Sequence, residues 1–493
     1  MVTLKAYRSG VTSHLSGMSL CDRIRALCAD TLDVLPPGPA MEAVAAVRDR
    51  LAGRTLRIAV GGRVNAGKST LVNALLGQRL AATGATETTT LVTWYRHHHQ
   101  NRVRLALRSG GETLVASAPG GGVPATLPVP VADIEAVVVE TPNARLADRY
   151  QLVDTPGLDS VSGLDEPAMA ALAQADALLY VMPHPGDRDR EALESLRATS
   201  GRAGLSAANV LGVLSRVDTL SDDDDPWPHA WRTAGGYAIE LRGLVAGVVP
   251  VVGLLAETAV GDTVTEDDLR RLRLLAEADA EDDVLYSPAA LLGADLPGMS
   301  GEDRRRLLRL FGMYGLREAA RLRDAGVTRS DEMLRSLTAS SGIASVTRFI
   351  EESFVRSADR LRGVTAITLL ERAAWLGDGP EQRHLRARLN ELRNHPVMRQ
   401  AALAPALRDL ADGRLTLDEE HADALIRLAT GGTDTARLGL PDQAEPAEVA
   451  AVADRWTARW RRLEGSPSRL LARHARSARE LSEIAFFASR PNS

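Results

Sequence analysis

Only two cysteines, Cys21 and Cys28, occur in 493 residues, so no disulfide framework is available to hold the chain together. In a helix-like stretch their spacing separates them by about 10 Å along the axis, beyond bridging distance, and both are expected as small core residues. Aromatic side chains make up only 4% of the chain. A core filled mainly by Leu, Val and Ala suits helices more than sheets. Long apolar runs are also missing: the longest, near 243–256, is broken by Pro250 and is too short to span a bilayer. Neither sign of charge dominates, since 64 acidic against 59 basic side chains leave a net charge of -5, which argues against nucleic acid as a general partner. The first twenty residues carry no apolar signal-like region, and with so little cysteine the expected setting is a reducing cytoplasm.

The scarcest basic residue is lysine. It stands only at Lys5 and Lys68; every other basic side chain is arginine. A lysine that survives such a bias is expected to do something arginine does not, and Lys68 lies in the loop GGRVNAGKST.

A short apolar run, 56–60, ends at Gly61 and Gly62, and a helix-like stretch with Leu71, Leu75 and Leu76 follows. Further strand-like runs at 150–154, 178–182, 210–214 and 248–252 alternate with helical patterns, which predicts a doubly wound, mostly parallel sheet. Between the first two lie a hairpin pattern, RVRLALRSGGETLVAS, and a Gly- and Pro-rich connection, APGGGVPATLPVPVAD. Beyond Ala256 the texture is helical. Capping patterns pair Thr265 with Asp268, Ser300 with Asp303, Thr328 with Asp331 and Thr416 with Glu419. The proline-free stretch 341–376 predicts one continuous helix of roughly 50 Å. Two more helices are expected before the first strand, around the break at Pro36 and Pro37. The expected division is residues 1–53 as N-terminal helices of a neck, 54–260 as the α/β domain and 261–493 as a helical neck and stalk bundle.

Residues 62–69 match the phosphate-binding pattern G-x-x-x-x-G-K-[ST]. Its glycines let the backbone wrap close to phosphates, its N–H groups and helix start attract negative charge, Lys68 reaches the β- and γ-phosphates, and the Ser69 hydroxyl ligates Mg2+. Gly62, Asn65, Ala66, Gly67, Lys68, Ser69 and Thr70 are the expected phosphate-side contacts. Asp154, Thr155, Pro156 and Gly157 close the second parallel strand, where a D-x-x-G sequence places Asp154 on Mg2+ and the Gly157 N–H on the γ-phosphate. Ser215, Arg216 and Asp218 stand where a guanine-reading motif belongs: a carboxylate accepts two hydrogen bonds from the N1–H and N2–H2 edge, which adenine does not offer. The run VVPVVGLLA at 248–256 is expected as the last strand and base-side loop, with Gly253 contributing there. ATETTTLVTW offers Thr86, Thr88, Thr89, Thr90 and Thr93 as the switch threonine, and Thr89 is chosen as the group for Mg2+ and the attacking water. The expected hydrolytic residues are therefore Lys68, Thr89 and Gly157, and the metal set Ser69, Thr89 and Asp154. His97, His98 and His99 read as a solvated strand end, and Asp222 to Asp225 as a solvated helix entry.

GGRVNAGKSTLVNALLG, ATETTTLVTWYRHHH, VDTPG and SRVD, followed by FGMYGLREA and SGIASVTRFIEESF, resemble the bacterial dynamin-like proteins. Within them the sequence is similar to the shorter type of isoniazid-inducible dynamin-like GTPase of actinobacteria. The resemblance implies a dynamin-type P-loop GTPase domain with a helical neck and stalk, hydrolysis of GTP with Mg2+, and membrane remodelling through self-association or a paired dynamin-like paralogue. It also matches Thr89 to the family's switch threonine. Two departures stand out. No glutamine follows the DTPG sequence at Leu158 or Asp159, which leaves water positioning to Thr89 and the backbone. Asn65 carries no charge where several family members have a cationic residue, so the group that offsets transition-state charge is unassigned.

Between Arg455 and Arg479 eight arginines meet one acid, Glu464, and Trp456 and Trp460 lie four apart. Such a segment predicts contact with an anionic membrane surface through arginines, tryptophans and the stripe Leu470, His474, Ala478, Leu481, Ile484. The competing expectation is that these are the last helices of the stalk, with arginines paired to acids. A second functional reading is a soluble regulatory GTPase, or an adaptor subunit acting with a membrane-active dynamin-like paralogue. The expected location is cytoplasmic and peripheral on the inner face of the cell membrane.

Overall fold

In the computed structural model the described residues are 19–82, 91–124, 126–157, 171–172, 174–184, 186–200, 209–220, 225–241, 244–261, 263–282, 284–393, 396–401, 403–411, 413–431 and 433–490. They form two compact units, one of residues 54–358 and one joining the residues before Arg54 to those from Asp359 onward.

The first unit is built on a sheet of nine described strands: β1 (Leu56–Gly62), β2 (Val92–His97), β3 (Arg102–Leu107), β4 (Glu112–Val115), β5 (Ile134–Thr141), β6 (Tyr150–Asp154), β7 (Ala177–Met182), β8 (Val210–Leu214) and β9 (Gly247–Pro250). Their order is β4-β3-β5-β2-β6-β1-β7-β8-β9. From β6 to β9 the neighbours run parallel. Strand β2 runs antiparallel to β6, and the β3–β4 hairpin extends the sheet beyond β5. Strands β7 and β8 are buried at every residue, as strands covered on both faces must be. Leu178, Tyr180 and Met182 share a core with Leu193 and Leu196 of the helix Asp187–Ser200 and Ala234 of the helix Trp227–Glu240. The outer strand β4 is short and exposes Glu112 and Leu114, which limits its use as an edge for further pairing.

Helices from Glu266 to Val355, expected in the 261–493 bundle, pack instead with the sheet unit. The cause is the helix Gly253–Val260, whose buried Leu255 shares a core with Leu272 and Leu275 of the helix Glu266–Asp282, Phe311 and Leu316 of Gly301–Asp324, and Met333 and Leu337 of Ser330–Ser340. Half of the VVPVVGLLA run is thus helix: β9 ends at Pro250, and Gly253 starts a helix rather than a base-side loop of extended chain. The expected single helix over 341–376 is also divided. A regular segment Ile343–Phe349 widens into a π-helical stretch Ile350–Val355, turns at Arg356 and Ser357, and resumes as Ala358–Ala374. Ser300 and Asp303 form the expected capping box, and Thr265 and Asp268 exchange the same bonds. The other two capping patterns fail, because Arg329 and Asp418 occupy the cap positions in place of Thr328 and Thr416.

In the second unit the helices Leu20–Leu32 and Pro39–Ala52 share one core with Ala358–Ala374 and Pro380–Arg393, through Ile24, Val44, Val47, Ile367, Leu370, Leu385 and Leu389. Cys21 and Cys28 are buried there, and burial pushes the Cys28 thiol up to about 12. The Asp359 carboxylate accepts the Leu20 and Cys21 N–H groups at 2.9 and 3.0 Å, closing the first helix start. A second core gathers Leu425, Leu428, Val449, Trp456, Trp460, Ala478 and Leu481. No described helix is long and apolar enough to cross a membrane.

Candidate nucleotide site

Parallel order brings the C-terminal ends of β1, β6 and β8 to one edge of the sheet, where ligands of open α/β sheets bind. The loop after β1 is shaped by close approach. An added Cβ at Gly62 would lie 2.2 Å from the Val181 carbonyl oxygen, so no larger residue fits. Asn65 and Gly67 both take positive φ, 60° and 97°, and turn the backbone into the helix Lys68–Leu76. The Lys68 ammonium donates to the Arg63 carbonyl at 2.8 Å, which keeps it within the loop.

The DTPG loop meets this turn. Thr155 donates its hydroxyl to the Val60 carbonyl at 3.0 Å. At Gly157 an added Cβ would stand 2.9 Å from the backbone of Val64, so only glycine permits the two loops to touch. Ser69 donates its hydroxyl to Asp154 Oδ2 at 2.8 Å, whereas Asp154 Oδ1 is buried with no hydrogen-bond partner. Burial raises the Asp154 carboxyl to about 6 despite the Ser69 hydrogen bond and the nearby Lys68 charge, both of which lower it. An orphaned carboxylate oxygen beside a serine hydroxyl fits a hard divalent cation, which takes oxygen donors and would hold the carboxylate ionised.

At the end of β8, Ser215 donates its hydroxyl to the Ala66 carbonyl at 2.7 Å, and Arg216, at φ 54°, donates to the Asn65 carbonyl at 2.7 Å. Arg216 thus braces the phosphate loop. Asp218 lies in the short turn Val217–Thr219, and burial raises its carboxyl while Arg216 lowers it. Gly253 approaches Thr70: an added Cβ would lie 3.5 Å from the Thr70 methyl, so the start of this helix sits against the phosphate-loop helix. The turn between β9 and this helix is held by the Val252 N–H, which donates to the Ser341 carbonyl at 2.9 Å.

Lys68, Ser69, Asp154, Gly157, Ser215, Arg216 and the loop 62–67 are thus brought together. Thr89, with Thr86, Thr88 and Thr90, lies outside the described residues, as do Leu158, Asp159 and Asp222 to Asp224. Thr93 is buried on β2 and pairs in register with Asp154. The histidine run ends β2: His97 Nδ1 accepts the Asn143 N–H at 3.1 Å, and His98 bonds Arg102. Asp225 accepts the Trp227 N–H at 3.1 Å, at the entry of its helix.

Residue spacing did not single out Asn73 or Glu257. Both are buried polar residues in otherwise apolar helical registers, and that misfit was the available signal. Glu140, surrounded by Arg96, Arg102 and Arg104 across three strands, was equally invisible because its partners come together only in the sheet.

The apolar side of the expected lipid-facing segment is core, while Arg455, Arg461, Arg462, Arg469, Arg473 and Arg476 are exposed. Trp456 and Trp460 stack on each other beneath His421, and both are buried. His474 is buried against Asp409 at 2.7 Å, and Ala478 and Leu481 of the same stripe face the core. Arg476 and Arg479 both pair with Glu464, while Arg459 and Arg461 reach Glu420 and Glu483.

A family model described as the dynamin family matches residues 58–216. The isoniazid-induced protein IniC of Mycobacterium tuberculosis (strain H37Rv) is 32% identical over 478 residues, covering 91% of this chain and 94% of that protein. The isoniazid-induced protein IniA of the same organism is 29% identical over 163 residues, or 29% of this chain and 24% of that protein. A solved structure of an oligomerised bacterial dynamin pair overlaps with a TM-score of 0.36 at 13% identity, covering 96% of this chain and 75% of that one. With nearly the whole of both sequences aligned to IniC, and the phosphate loop, DTPG loop and β8 turn converging at one sheet edge, this chain belongs to the dynamin family, as a bacterial dynamin-like protein of the IniC type.

Proposed function

We propose that the protein binds GTP at this site, hydrolyses it to GDP and phosphate with Mg2+, and couples turnover to assembly and membrane remodelling. The observation that carries the nucleotide chemistry is the Ser69–Asp154 pair beside Lys68, with one buried carboxylate oxygen left without a partner. Ser69 and Asp154 would hold Mg2+, with Thr89 as the proposed third protein group; the ion supplies positive charge to the β- and γ-phosphate oxygens. Lys68 and the N–H groups of the loop and helix start bind phosphate. Asp218 accepts from the guanine edge and Arg216 braces the loop beneath it. Thr89 and backbone groups, Gly157 among them, orient water for attack on the γ-phosphorus, and GDP leaves with the bridging oxygen.

Family membership supports the membrane half of the reading: dynamin-like proteins act by self-association or with a paired paralogue, peripherally on the cytoplasmic face of a membrane. A second reading is favoured by one observation. With Trp456 and Trp460 buried and stacked, the tryptophans expected to touch lipid are core residues, which suits an adaptor acting with a membrane-active paralogue. Phosphate release from GTP, measured with and without Mg2+ and with and without anionic liposomes, separates these. Mg2+-dependent turnover stimulated by liposomes that carry the protein on flotation is the expected result. No turnover with Mg2+ present sinks the enzyme reading; turnover without flotation leaves the adaptor.

A further inference from the structure

Asn73 lies one helical turn beyond Ser69 on the phosphate-loop helix and is fully enclosed. All of its hydrogen-bonding capacity is used. Its carboxamide oxygen accepts the Leu80 and Ala81 N–H groups at 3.0 and 2.7 Å, and its amide donates to the Ala81 carbonyl at 3.0 Å and to Glu257 Oε1 at 2.8 Å. Glu257 comes from the helix that starts at Gly253, and the Arg79 guanidinium approaches the same oxygen at 3.4 Å. One side chain therefore ties three parts of this unit: the metal-side helix, the chain two residues before the threonine-rich segment, and the helix after β9. The last of these packs directly on the helices Gly301–Asp324 and Ser330–Ser340, where Thr258 donates to the Leu310 carbonyl and Thr338 to the Ala259 carbonyl.

A buried carboxylate in an apolar register is costly unless its partners are fixed. Here the partners hold the backbone of Leu80 and Ala81 against the phosphate-loop helix. We propose that Asn73 and Glu257 are positioning residues for GTP hydrolysis: they fix Leu80 and Ala81 against the phosphate-loop helix and couple that register to the helix after β9. The proposal rests on the GTPase reading above. Neither residue touches nucleotide, so their loss acts on kcat more than on nucleotide affinity.

The test is a reversal of the buried bond. Asn73→Asp keeps the acceptor for Leu80 and Ala81 but sets a second carboxylate against Glu257. Its kcat is expected to fall by about tenfold or more, with GDP affinity within about threefold of wild type. Adding Glu257→Gln puts a donor opposite the new carboxylate but leaves the Ala81 carbonyl without its amide donor, so the double variant is expected to recover kcat in part, by about threefold or more over Asn73→Asp. A kcat unchanged in Asn73→Asp overturns the proposal, as does a loss shared equally by GDP affinity or a double variant that folds with no gain in kcat over Asn73→Asp. Should Asn73→Asp not fold, the double variant decides alone; should neither fold, Arg79→Gln alters only the partly exposed end of the network. That variant is expected to lower kcat about two- to threefold at unchanged Tm, and a wild-type kcat overturns the proposal. A wild type that releases no phosphate from GTP is a different result, because it removes the GTPase reading itself.

Discussion

Two aspartates, one in each unit, are treated in opposite ways. Asp409, among the C-terminal helices, has both oxygens served: His474 Nε2 lies 2.7 Å from Oδ2 and an Arg414 nitrogen 2.8 Å from Oδ1. Asp154, at the end of β6, has one oxygen on Ser69 and the other on nothing. Backbone strain divides the same way. Among the described residues the non-glycine positions with positive φ are Asn65, Asp148 and Arg216, all in the sheet unit, and two of them line the phosphate loop. A satisfied buried charge belongs to the architecture. An unsatisfied one beside strained backbone is where a ligand completes the structure.

The largest break in that comparison comes from Lys68→Ala, which removes the only lysine among the described residues. GTP turnover is expected to fall by roughly a thousandfold or more, with nucleotide binding by fluorescence titration lost in parallel. Lys68→Arg is expected to be nearly as damaging, since a planar guanidinium does not replace a compact ammonium in a loop shaped this closely. Wild-type turnover in either variant would falsify the assignment. Asp409→Ala is next. It strands buried His474 and leaves Arg414 and Arg473 without their acid, which should cost about 3 kcal/mol in urea unfolding. A variant as stable as wild type would show that the cluster is not structural.

Asp218→Asn tests the base side. It should weaken GTP by roughly tenfold to a hundredfold and relatively favour xanthosine triphosphate, whose 2-oxo group accepts from an amide. Competition by ATP and GTP at equal concentrations would show instead that Val217–Thr219 is only a turn. Asp154→Asn should separate stability from function. A carboxyl raised to about 6 from an unfolded value near 3.8 imposes its full cost above about pH 6 and none below about pH 4. Without nucleotide, the asparagine variant should therefore be more stable than wild type at pH 7 by about 1 to 2 kcal/mol, with the difference gone near pH 4. It should also lose Mg2+-dependent turnover. A variant less stable at pH 7 would mean that Asp154 is a satisfied structural acid like Asp409.

What the sequence made legible follows the same division. The phosphate loop, DTPG and the β8 turn are each short runs of residues adjacent in the chain, so spacing alone pointed to loops that the fold brings to one sheet edge, and the apolar runs matched β1, β6, β7, β8 and β9 but not β5. Features that depend on a distant partner were not legible. Glu266 to Val355 joined the sheet unit because the Gly253–Val260 stretch became helical and turned Leu255 onto their core, which an apolar run does not distinguish from a buried strand. The basic stripe at Arg455 to Arg479 has the pattern of a lipid-facing helix, and only the positions of Glu420, Glu464 and Glu483 show that four of its eight arginines make five ion pairs within the bundle. Thr328 and Thr416 had the right spacing for caps but lost the position to residues with stronger local partners: Arg329 pairs with Asp331, and Asp418 accepts from His421.

The smallest expected effect is the most useful for that stripe. Arg476 is exposed and shares Glu464 with Arg479, which lies deeper and also pairs with Glu483 at 2.7 Å. Removing Arg476 therefore leaves Glu464 with a partner and strands no charge. Arg476→Ala should change unfolding free energy by no more than about 0.5 kcal/mol, as exposed pairs usually do, and leave GTP turnover untouched. Arg479→Ala deprives both Glu464 and Glu483 of their shared cation, so its cost should be visibly larger, about 1 to 2 kcal/mol. Urea unfolding of the two variants side by side measures the difference. Equal small costs would mean that the arginines are solvated rather than structural and would return the stripe to candidacy as a lipid contact, because a charge free of protein partners is a charge available to a headgroup.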